Sequence, residues 1–233
     1  MTQEEVRTFS YTYLNYNTPL SGDHAESMIH TVILPGTARI LDLGCGWGEL
    51  LLQFLEANPD ATGIGIDKDD ILITRAITNA DNRGLSNRVQ FITQDATQTT
   101  GVYEFVICIG ATHIWKNRGQ ALQVLHDKVA PSGILLFGDG FWAEEPSDKL
   151  REDFGELHDL STLQDDVRTS GFEILRTETA TLSEWDEFES AWRRGLEQSG
   201  NSEAQAFAAE RKIEYEDGYR GTLGFSYVVA RKK

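Results

Sequence analysis

The feature that most constrains this chain is a set of alternating glycines, Gly44, Gly46 and Gly48. The residues before them, 40–43, are mostly apolar and predict a short buried strand. The apolar residues that follow return at the spacing of a helix: Leu50, Leu51, Phe54 and Leu55. The pattern therefore predicts a strand, a glycine turn and a helix in direct succession.

A glycine turn at this place in a chain favours a bound ligand. Glycine has no Cβ, so the backbone can bend sharply and can approach a ligand closely. The helix that follows directs its free N–H groups and the positive end of its dipole at the same point. The alternative is a glycine-rich turn that binds no ligand. The acid before the glycines, Asp42, and another downstream, Asp67, argue against it.

The glycine spacing distinguishes between families of cofactor. A dinucleotide fingerprint has the form G-x-G-x-x-G, whereas this chain has G-x-G-x-G followed by Glu49. An acidic side chain is unfavourable where a pyrophosphate would lie, and the turn lacks the lysine of a P-loop. The spacing therefore argues against a nicotinamide dinucleotide.

The segment from Asp42 to Gly48 resembles the first motif of class I S-adenosylmethionine-dependent methyltransferases, D/E-x-G-x-G-x-G, at every fixed position. An acidic loop suits this cofactor, which carries a sulfonium and an ammonium group and no phosphate. The resemblance covers about residues 36–180 and the last strand. It implies a methyltransferase that converts S-adenosylmethionine to S-adenosylhomocysteine and acts on a small-molecule acceptor.

The pattern of alternating strands and helices predicts an α/β fold, a doubly wound sheet with right-handed crossovers. The resemblance implies a Rossmann-like sheet of seven strands, mostly parallel, with an antiparallel last strand and a helical cap. In such sheets ligands bind at the carboxyl ends of the strands, where the strand order reverses. The predicted division is N-terminal helices over the cofactor pocket (1–35), an α/β core (36–180 and 222–233) and a helical lid (181–221).

The resemblance assigns the cofactor to residues that follow successive strands. Those residues are Asp42, Gly44, Cys45, Gly46, Asp67, Lys68, Asp95, Ala96 and Ile109. By resemblance, Asp42 and the glycine turn hold the methionine end and the backbone near Ile109 holds the ammonium. Asp95 and Ala96 follow the predicted third strand and would hold the adenine.

Asp67 ends the predicted second strand, 61–67, and lies 23 residues after Gly44. A carboxylate there can accept hydrogen bonds from both hydroxyls of a ribose. The alternative role is to cap the next helix, since Asp69 and Asp70 also precede it. We favour the ribose for Asp67 and capping for Asp69 or Asp70.

His113 follows the apolar fourth strand, 105–109, and is the histidine predicted to lie beside the methyl group. A neutral imidazole could take a proton from the incoming nucleophile. It could equally orient the substrate by a hydrogen bond, or serve the structure alone. The loop lacks the N/D-P-P-Y/F motif of methyltransferases that act on amides or bases.

Aromatic residues around the same sheet edge are the candidates for a substrate pocket. They are Tyr11, Tyr16, Trp115, Phe141 and Trp142, together with His113. The tyrosines belong to a predicted helix from Glu4 to Tyr16, and packing on the core is the alternative role for them. Predicted caps for the two lid helices are Ser183 with Asp186 and Ser202 with Gln205.

Composition limits the partners of the chain. Acidic residues outnumber basic ones, 37 to 21, for a formal net charge of −16. Nucleic acid and anionic membrane surfaces are therefore unfavourable partners. Cys45 and Cys108 have no metal-ligand spacing, and we expect reduced thiols, no metal and a cytoplasmic protein. The polar start, with no signal peptide, and the absence of a long apolar run fit this expectation.

The resemblance leaves two alternatives open. One is a different transferase that uses a related sulfonium nucleotide on the same fold. The other is a protein that binds S-adenosylmethionine without catalysis, although Asp42 and Asp67 together with the intact glycines argue against a disused pocket. Neither the acceptor atom nor the oligomeric state follows from the sequence.

Overall fold

The computed structural model describes residues 1–155 and 157–233. The strands are β1 (Arg39–Leu43), β2 (Thr62–Asp67), β3 (Val89–Thr93), β4 (Tyr103–Ile109), β5 (Val129–Trp142), β6 (Phe172–Thr179) and β7 (Leu223–Lys232). The helices are α1 (Gln3–Ser10), α2 (Gly22–Thr31), α3 (Glu49–Ala57), α4 (Asp70–Asn82), α5 (Arg118–Lys128), α6 (Asp148–Phe154), α7 (Leu160–Thr169), α8 (Leu182–Glu197) and α9 (Ser202–Ile213). In these residues no helix is both long and apolar enough to cross a membrane.

The strands form one seven-stranded sheet in the order β3-β2-β1-β4-β5-β7-β6. The strands β3, β2, β1, β4 and β5 pair in parallel. Backbone bonds from Lys233 N to Gly171 O and from Ala180 N to Phe225 O show that β7 runs antiparallel to β6. The predicted doubly wound, mostly parallel sheet is confirmed, and its strand order reverses between β1 and β4.

The central strands are buried on both faces, as their continuous apolar sequences predict. Residues 105–108 of β4 are at most 1% exposed. Helix α3 covers one face through Phe54, whose ring meets that of Phe105 edge-on at 4.7 Å between centroids. This packing fixes the ends of β1 and β4, from which the candidate site is built.

Strand β5 differs from its sequence-based prediction. The Pro131-Ser132-Gly133 segment is predicted as a turn before the strand, but it lies inside one strand that begins at Val129. The pairing slips there, because Tyr103 faces Val129 whereas Phe105 faces Ile134. The turn residues therefore form a bulge within β5, with Ser132 in the left-handed region at φ 59°.

The helix boundaries also correct local predictions. Helix α1 ends at Ser10 rather than Tyr16, because the following Thr, Tyr and Asn residues have low helix propensity. Helix α8 begins with a capping box of Thr181 and Glu184, not Ser183 and Asp186. Helix α9 is capped by Asn201, not Ser202.

The chain forms two compact units. The first unit comprises residues 1–21, 140–159 and 179–225, and it contains α1, α6, α8, α9 and a π-helical turn, Glu214–Tyr219. The second unit comprises residues 22–139, 160–178 and 226–233 and contains most of the sheet. The predicted division at residues 35, 180 and 221 stays a prediction.

Candidate active site

The carboxyl ends of β1, β2 and β3 lie side by side in the second unit. Leu43 pairs with Ile66, and Asp67 pairs with Thr93. The segments that follow these strands therefore begin at one edge of the sheet. The predicted cofactor residues after β1, β2 and β3 are brought to this edge.

The turn after β1 needs its glycines for different reasons. Gly44, Gly46 and Gly48 have φ values of 75°, 53° and 73°, a conformation that residues with a Cβ rarely adopt. A Cβ on Gly44 would lie 2.6 Å from the Cβ of Ala111, whereas a Cβ on Gly46 would meet nothing within 4 Å. Gly44 is therefore required by packing, while Gly46 faces open space that a ligand can occupy.

Asp67 fixes the glycine turn as well as ending β2. Its Oδ2 accepts a hydrogen bond from Gly46 N at 2.9 Å, and its Oδ1 accepts one from Asp69 N at 3.0 Å. Each carboxylate oxygen has a further lone pair for a ribose hydroxyl. Asp69 caps α4 by accepting from Ile71 N and Leu72 N. The capping prediction is confirmed for Asp69, while the ribose role of Asp67 stays a prediction.

Asp42 is a carboxyl group buried beneath the turn, with 5% of its surface exposed. Burial, and secondly the charge of Asp67, raises the pKa of Asp42 to about 8. A cation bound nearby would favour the ionised form of this group. The arrangement is suited to the ammonium or the sulfonium of the predicted cofactor.

Burial, and secondly the charge of Asp42, also raises the pKa of the Cys45 thiol, which lies in the turn itself. Burial likewise raises the pKa of the Cys108 thiol in β4. Both are free thiols. Across residues 1–155 and 157–233, no group of three or more His, Cys, Asp or Glu side chains is placed to hold a metal ion.

Trp47, between the last two glycines, anchors the turn to α4 and was not singled out from the sequence. Its indole is 3% exposed and lies under the Arg75 guanidinium, 4.2 Å from the ring centroid. Asn79 Nδ2 donates to Trp47 O at 3.1 Å. Arg75 and Asn79 are four residues apart on α4, a spacing that puts them on one helix face.

The adenine candidates follow β3. Asp95 Oδ1 accepts from the backbone N and the Oγ1 of Thr97, at 2.9 and 2.8 Å. These bonds, and the nearby Lys68 ammonium, lower the pKa of Asp95. Ala96 is 4% exposed, and Lys68 is exposed at the end of β2. Asp95 therefore stays ionised as an acceptor beside Lys68.

The segment with His113 packs on the glycine turn. It follows β4 as a short 3₁₀ turn, Thr112–Ile114, and Ala111 lies against Gly44. His113 is exposed and Trp115 half-buried, while Ile109 is partly exposed at the end of β4. The structure thus brings the His113 segment next to the turn, while the role of His113 beside the methyl group stays a prediction.

A buried ion pair that the sequence did not indicate holds this segment. Arg118 Nε donates to Asp139 Oδ2 at 2.7 Å, and Thr112 Oγ1 donates to Asp139 Oδ1 at 3.0 Å. Asp139 is 8% exposed at the carboxyl-terminal part of β5. The ion pair joins residues 21 positions apart, and the Thr112 bond joins residues 27 positions apart. Local sequence patterns do not report contacts at such separations.

The remaining pocket candidates belong to the first unit. Tyr16, Phe141 and Trp142 are each 7% exposed, and Tyr11 is half-buried and accepts a bond from Asn17. Phe141 packs against Gly224, where a Cβ would overlap its ring. Trp142 lines a cavity of about 390 Å³ with residues 143–146, Arg151 and 157–159.

Comparison with known proteins places this geometry in a family. The model of the methyltransferase domain family matches residues 36–193. The chain belongs to this family. The predicted membership of the methyltransferase superfamily is therefore confirmed.

Individual relatives agree with the family. The uncharacterized protein YjhP of Escherichia coli K12 is 33% identical over 77% of this chain and 75% of its own length. The trans-aconitate 2-methyltransferase of Streptomyces avermitilis is 26% identical over 79% of each chain. A Geobacter sulfurreducens S-adenosylmethionine-dependent methyltransferase, solved with S-adenosylhomocysteine, has the same fold, with a TM-score of 0.88 and 22% identity over 98% of each chain.

Proposed function

We propose that this protein transfers the methyl group of S-adenosylmethionine to a small-molecule acceptor. The observation that carries the proposal is the joint arrangement of three groups at adjacent strand ends. Gly46 presents an open backbone, Asp67 holds the Gly46 amide, and Asp42 lies buried beneath them with its pKa raised to about 8. A buried acid that lacks a cationic partner is suited to a cationic ligand.

The residues that would hold the cofactor follow the strand order. Asp42 and the backbone of the glycine turn would face the methionine end, and Asp67 would accept the ribose hydroxyls. Asp95 and Ala96 would hold the adenine, and the backbone near Ile109 would bind the ammonium. The acidic surroundings fit a ligand without phosphates.

S-adenosylmethionine supplies a methyl group already activated by the positive charge on its sulfur. Transfer would break the sulfur–methyl bond and leave its electron pair on sulfur, while the nucleophile would form the new bond to carbon. The protein's part is to align and desolvate the nucleophile. The proton of the nucleophile would pass to His113, whose segment lies against the glycine turn, or to solvent.

Ligand binding and product analysis test the proposal. S-adenosylhomocysteine at 100 times its dissociation constant should stabilise the folded protein by ~2.7 kcal/mol, which thermal unfolding will show as a rise in Tm. NAD is the matched control and should produce no rise. Stabilisation by NAD alone would contradict the proposal. Incubation with S-adenosylmethionine and a panel of small acids, phenols and amines should then release S-adenosylhomocysteine, which a different sulfonium-dependent transferase would not form.

His113→Gln tests the proposed base. Glutamine keeps a hydrogen-bond donor but cannot take the proton, so kcat should fall by roughly 10²-fold or more. The affinity for S-adenosylhomocysteine should stay within about twofold. His30→Gln, at another exposed histidine, is the control. An unchanged kcat in His113→Gln would remove the catalytic role.

A further inference from the structure

Buried side-chain nitrogens of the first unit lack hydrogen-bond partners among the described residues. They are Trp142 Nε1, Trp185 Nε1, and both Nε and Nη1 of Arg193. All four atoms are hydrogen-bond donors. Within the described part of this unit, no buried side-chain acceptor lacks a hydrogen-bond partner. Buried donors in proteins are usually paired. The imbalance therefore indicates that an acceptor is missing.

Two acids of α8, Asp186 and Glu189, do not fill this need, because each already has a tyrosine and an arginine. Asp186 accepts from Tyr215 OH at 2.8 Å, and Arg220 donates to both of its oxygens at 2.8 Å. The π-helical turn places Tyr215 for this contact, since Arg220 N bonds Tyr215 O in the i to i+5 pattern at 2.9 Å. Asp186 thus has strong partners on both oxygens.

Glu189 is the fully buried acid of α8 and is paired in the same way. Arg211 donates to its two oxygens at 2.9 and 2.8 Å, and Tyr219 OH donates to Oε1 at 2.8 Å. Burial raises the pKa of the Tyr219 phenol, which keeps it a donor. Glu189 therefore has its charge balanced by Arg211.

Arg193 has the longest ion pair of the three arginines that meet Asp186 and Glu189. It is 9% exposed, and its Nη1 lies 3.9 Å from Glu189 Oε2, beyond hydrogen-bond distance. The carboxylates of Asp186 and Glu189 meet these guanidinium groups directly, and the charge of Glu214 also acts on Arg211. An anion is the partner that would satisfy the free donors of Arg193, Nε and Nη1.

Arg193 reaches back along α8 toward Trp185. Its guanidinium approaches Glu189, four residues earlier, and its charge also acts on Asp186, next to Trp185. Tyr219, which bonds Glu189, has its ring 6.2 Å from that of Trp185. The free donors of Trp185 and Arg193 therefore belong to one buried stripe of the helix.

Aromatic rings continue from this stripe. The Tyr219 ring lies 5.2 Å from that of Phe154, and Phe154 lies 6.1 Å from Trp142, whose Nε1 is the remaining free donor. The series Trp185, Tyr219, Phe154, Trp142 forms an apolar wall with a free indole N–H at each end. Such a wall suits the apolar body of a ligand.

We propose that Arg193 and Trp185 bind the carboxylate of a small organic acid whose apolar body packs on this aromatic wall. The guanidinium supplies charge, and the indole N–H supplies a directed hydrogen bond. That this acid is the methyl acceptor rests on the proposed function. The binding site itself does not depend on it.

Binding of matched probes tests the chemistry. We expect phenylacetate to bind the full-length protein at least tenfold more tightly than phenylacetamide, which has the same shape without the charge. Phenyl phosphate separates a carboxylate from a phosphate site and should bind more weakly than phenylacetate. Isothermal titration gives each affinity. Equal binding of phenylacetate and phenylacetamide, or tighter binding of phenyl phosphate, would overturn the proposal.

Variants locate the site. Arg193→Gln should lower the affinity for phenylacetate at least tenfold, whereas Arg194→Gln, at the exposed neighbour, should leave it unchanged. Trp185→Phe keeps the ring and removes only the N–H, and should lower the affinity several-fold. It also serves as the test if Arg193→Gln does not fold. Equal affinities for phenylacetate in the wild type and in folded Arg193→Gln or Trp185→Phe would place the acid elsewhere.

The response to S-adenosylhomocysteine separates this inference from the proposed function. Folded Arg193→Gln should keep the rise in Tm that S-adenosylhomocysteine produces, because Arg193 has no part in the cofactor site. A wild-type rise in Tm without selective acid binding would refute the acid site alone. Selective acid binding without any rise in Tm on addition of S-adenosylhomocysteine would refute the cofactor assignment alone.

Discussion

Gly46→Ala should leave the protein folded but weaken binding of S-adenosylhomocysteine by about ten- to hundredfold. The new Cβ meets no protein atom within 4 Å, so the fold bears only the strain of a left-handed alanine, ~1–2 kcal/mol. The methyl group instead occupies the open space where the cofactor backbone contact is proposed.

Gly44→Ala is the matched control for this prediction. Its φ of 75° is similarly strained, but its Cβ would also lie 2.6 Å from the Cβ of Ala111. Overlap in a packed site adds ~1–3 kcal/mol of destabilisation. We therefore expect Gly44→Ala to lower Tm clearly more than Gly46→Ala does.

Thermal unfolding and isothermal titration on the two variants check both effects. Loss of binding with only the smaller fall in Tm should be specific to position 46. Unchanged affinity for S-adenosylhomocysteine in Gly46→Ala would show that the ligand does not lie against this turn, and the cofactor assignment would fail with it.

Asp42→Asn should bind S-adenosylhomocysteine about tenfold or more weakly than the wild type, because a charge-assisted hydrogen bond contributes ~1.5–3 kcal/mol. The same change should stabilise the ligand-free protein at high pH. Burial raises the pKa of Asp42 to about 8, so the folded protein keeps a proton that the unfolded chain, with a pKa of ~3.9, releases.

The pH dependence follows from this difference. The contribution of Asp42 to stability is fully present below pH ~4 and is lost as the pH rises toward the folded pKa of about 8. Asparagine does not ionise, so Asp42→Asn does not lose this contribution to stability as the pH rises. Its Tm relative to the wild type should therefore rise between these two pH values and then level off.

Proton release gives an independent measurement. At pH 7 the free protein should hold Asp42 protonated, and a bound cation should ionise it. Titration of the wild type with S-adenosylhomocysteine in buffers of different ionisation enthalpy should show release of up to one proton. In Asp42→Asn the number of protons released on binding should be smaller by the contribution of Asp42. Equal proton release in both proteins would contradict the assignment.

The sheet and the glycine turn were predictable because their causes are local. Buried parallel strands need continuous apolar sequence, and the left-handed positions at Gly44, Gly46 and Gly48 need glycine. Those residues can be read from a single chain. The chain order placed Asp67 at the end of β2 and Asp95 after β3, whereas the adenine role of Asp95 came from the family resemblance alone.

Other features depend on contacts between distant residues. The bond from Gly46 to Asp67 spans 21 positions, and the Thr112–Asp139 bond spans 27. Neither hydrogen bond produces a periodic pattern in the sequence. The capping errors were different. Thr181 with Glu184 offers the preferred glutamate partner, and Asn201, as good a cap as serine, accepts from both Glu203 N and Ala204 N.

The pairing of α8 with the segment after it limits how the helical insertion, residues 182–219, can change shape. Asp186 of α8 is paired with Tyr215 and Arg220, and Glu189 of the same helix is paired with Tyr219 and Arg211. If either segment shifted by a single residue, two carboxylates would lose their partners at once, and one of them is fully buried. Any movement of this insertion during turnover must therefore carry α8, α9 and the π-helical turn together as a rigid body, with bending confined to the residues outside them.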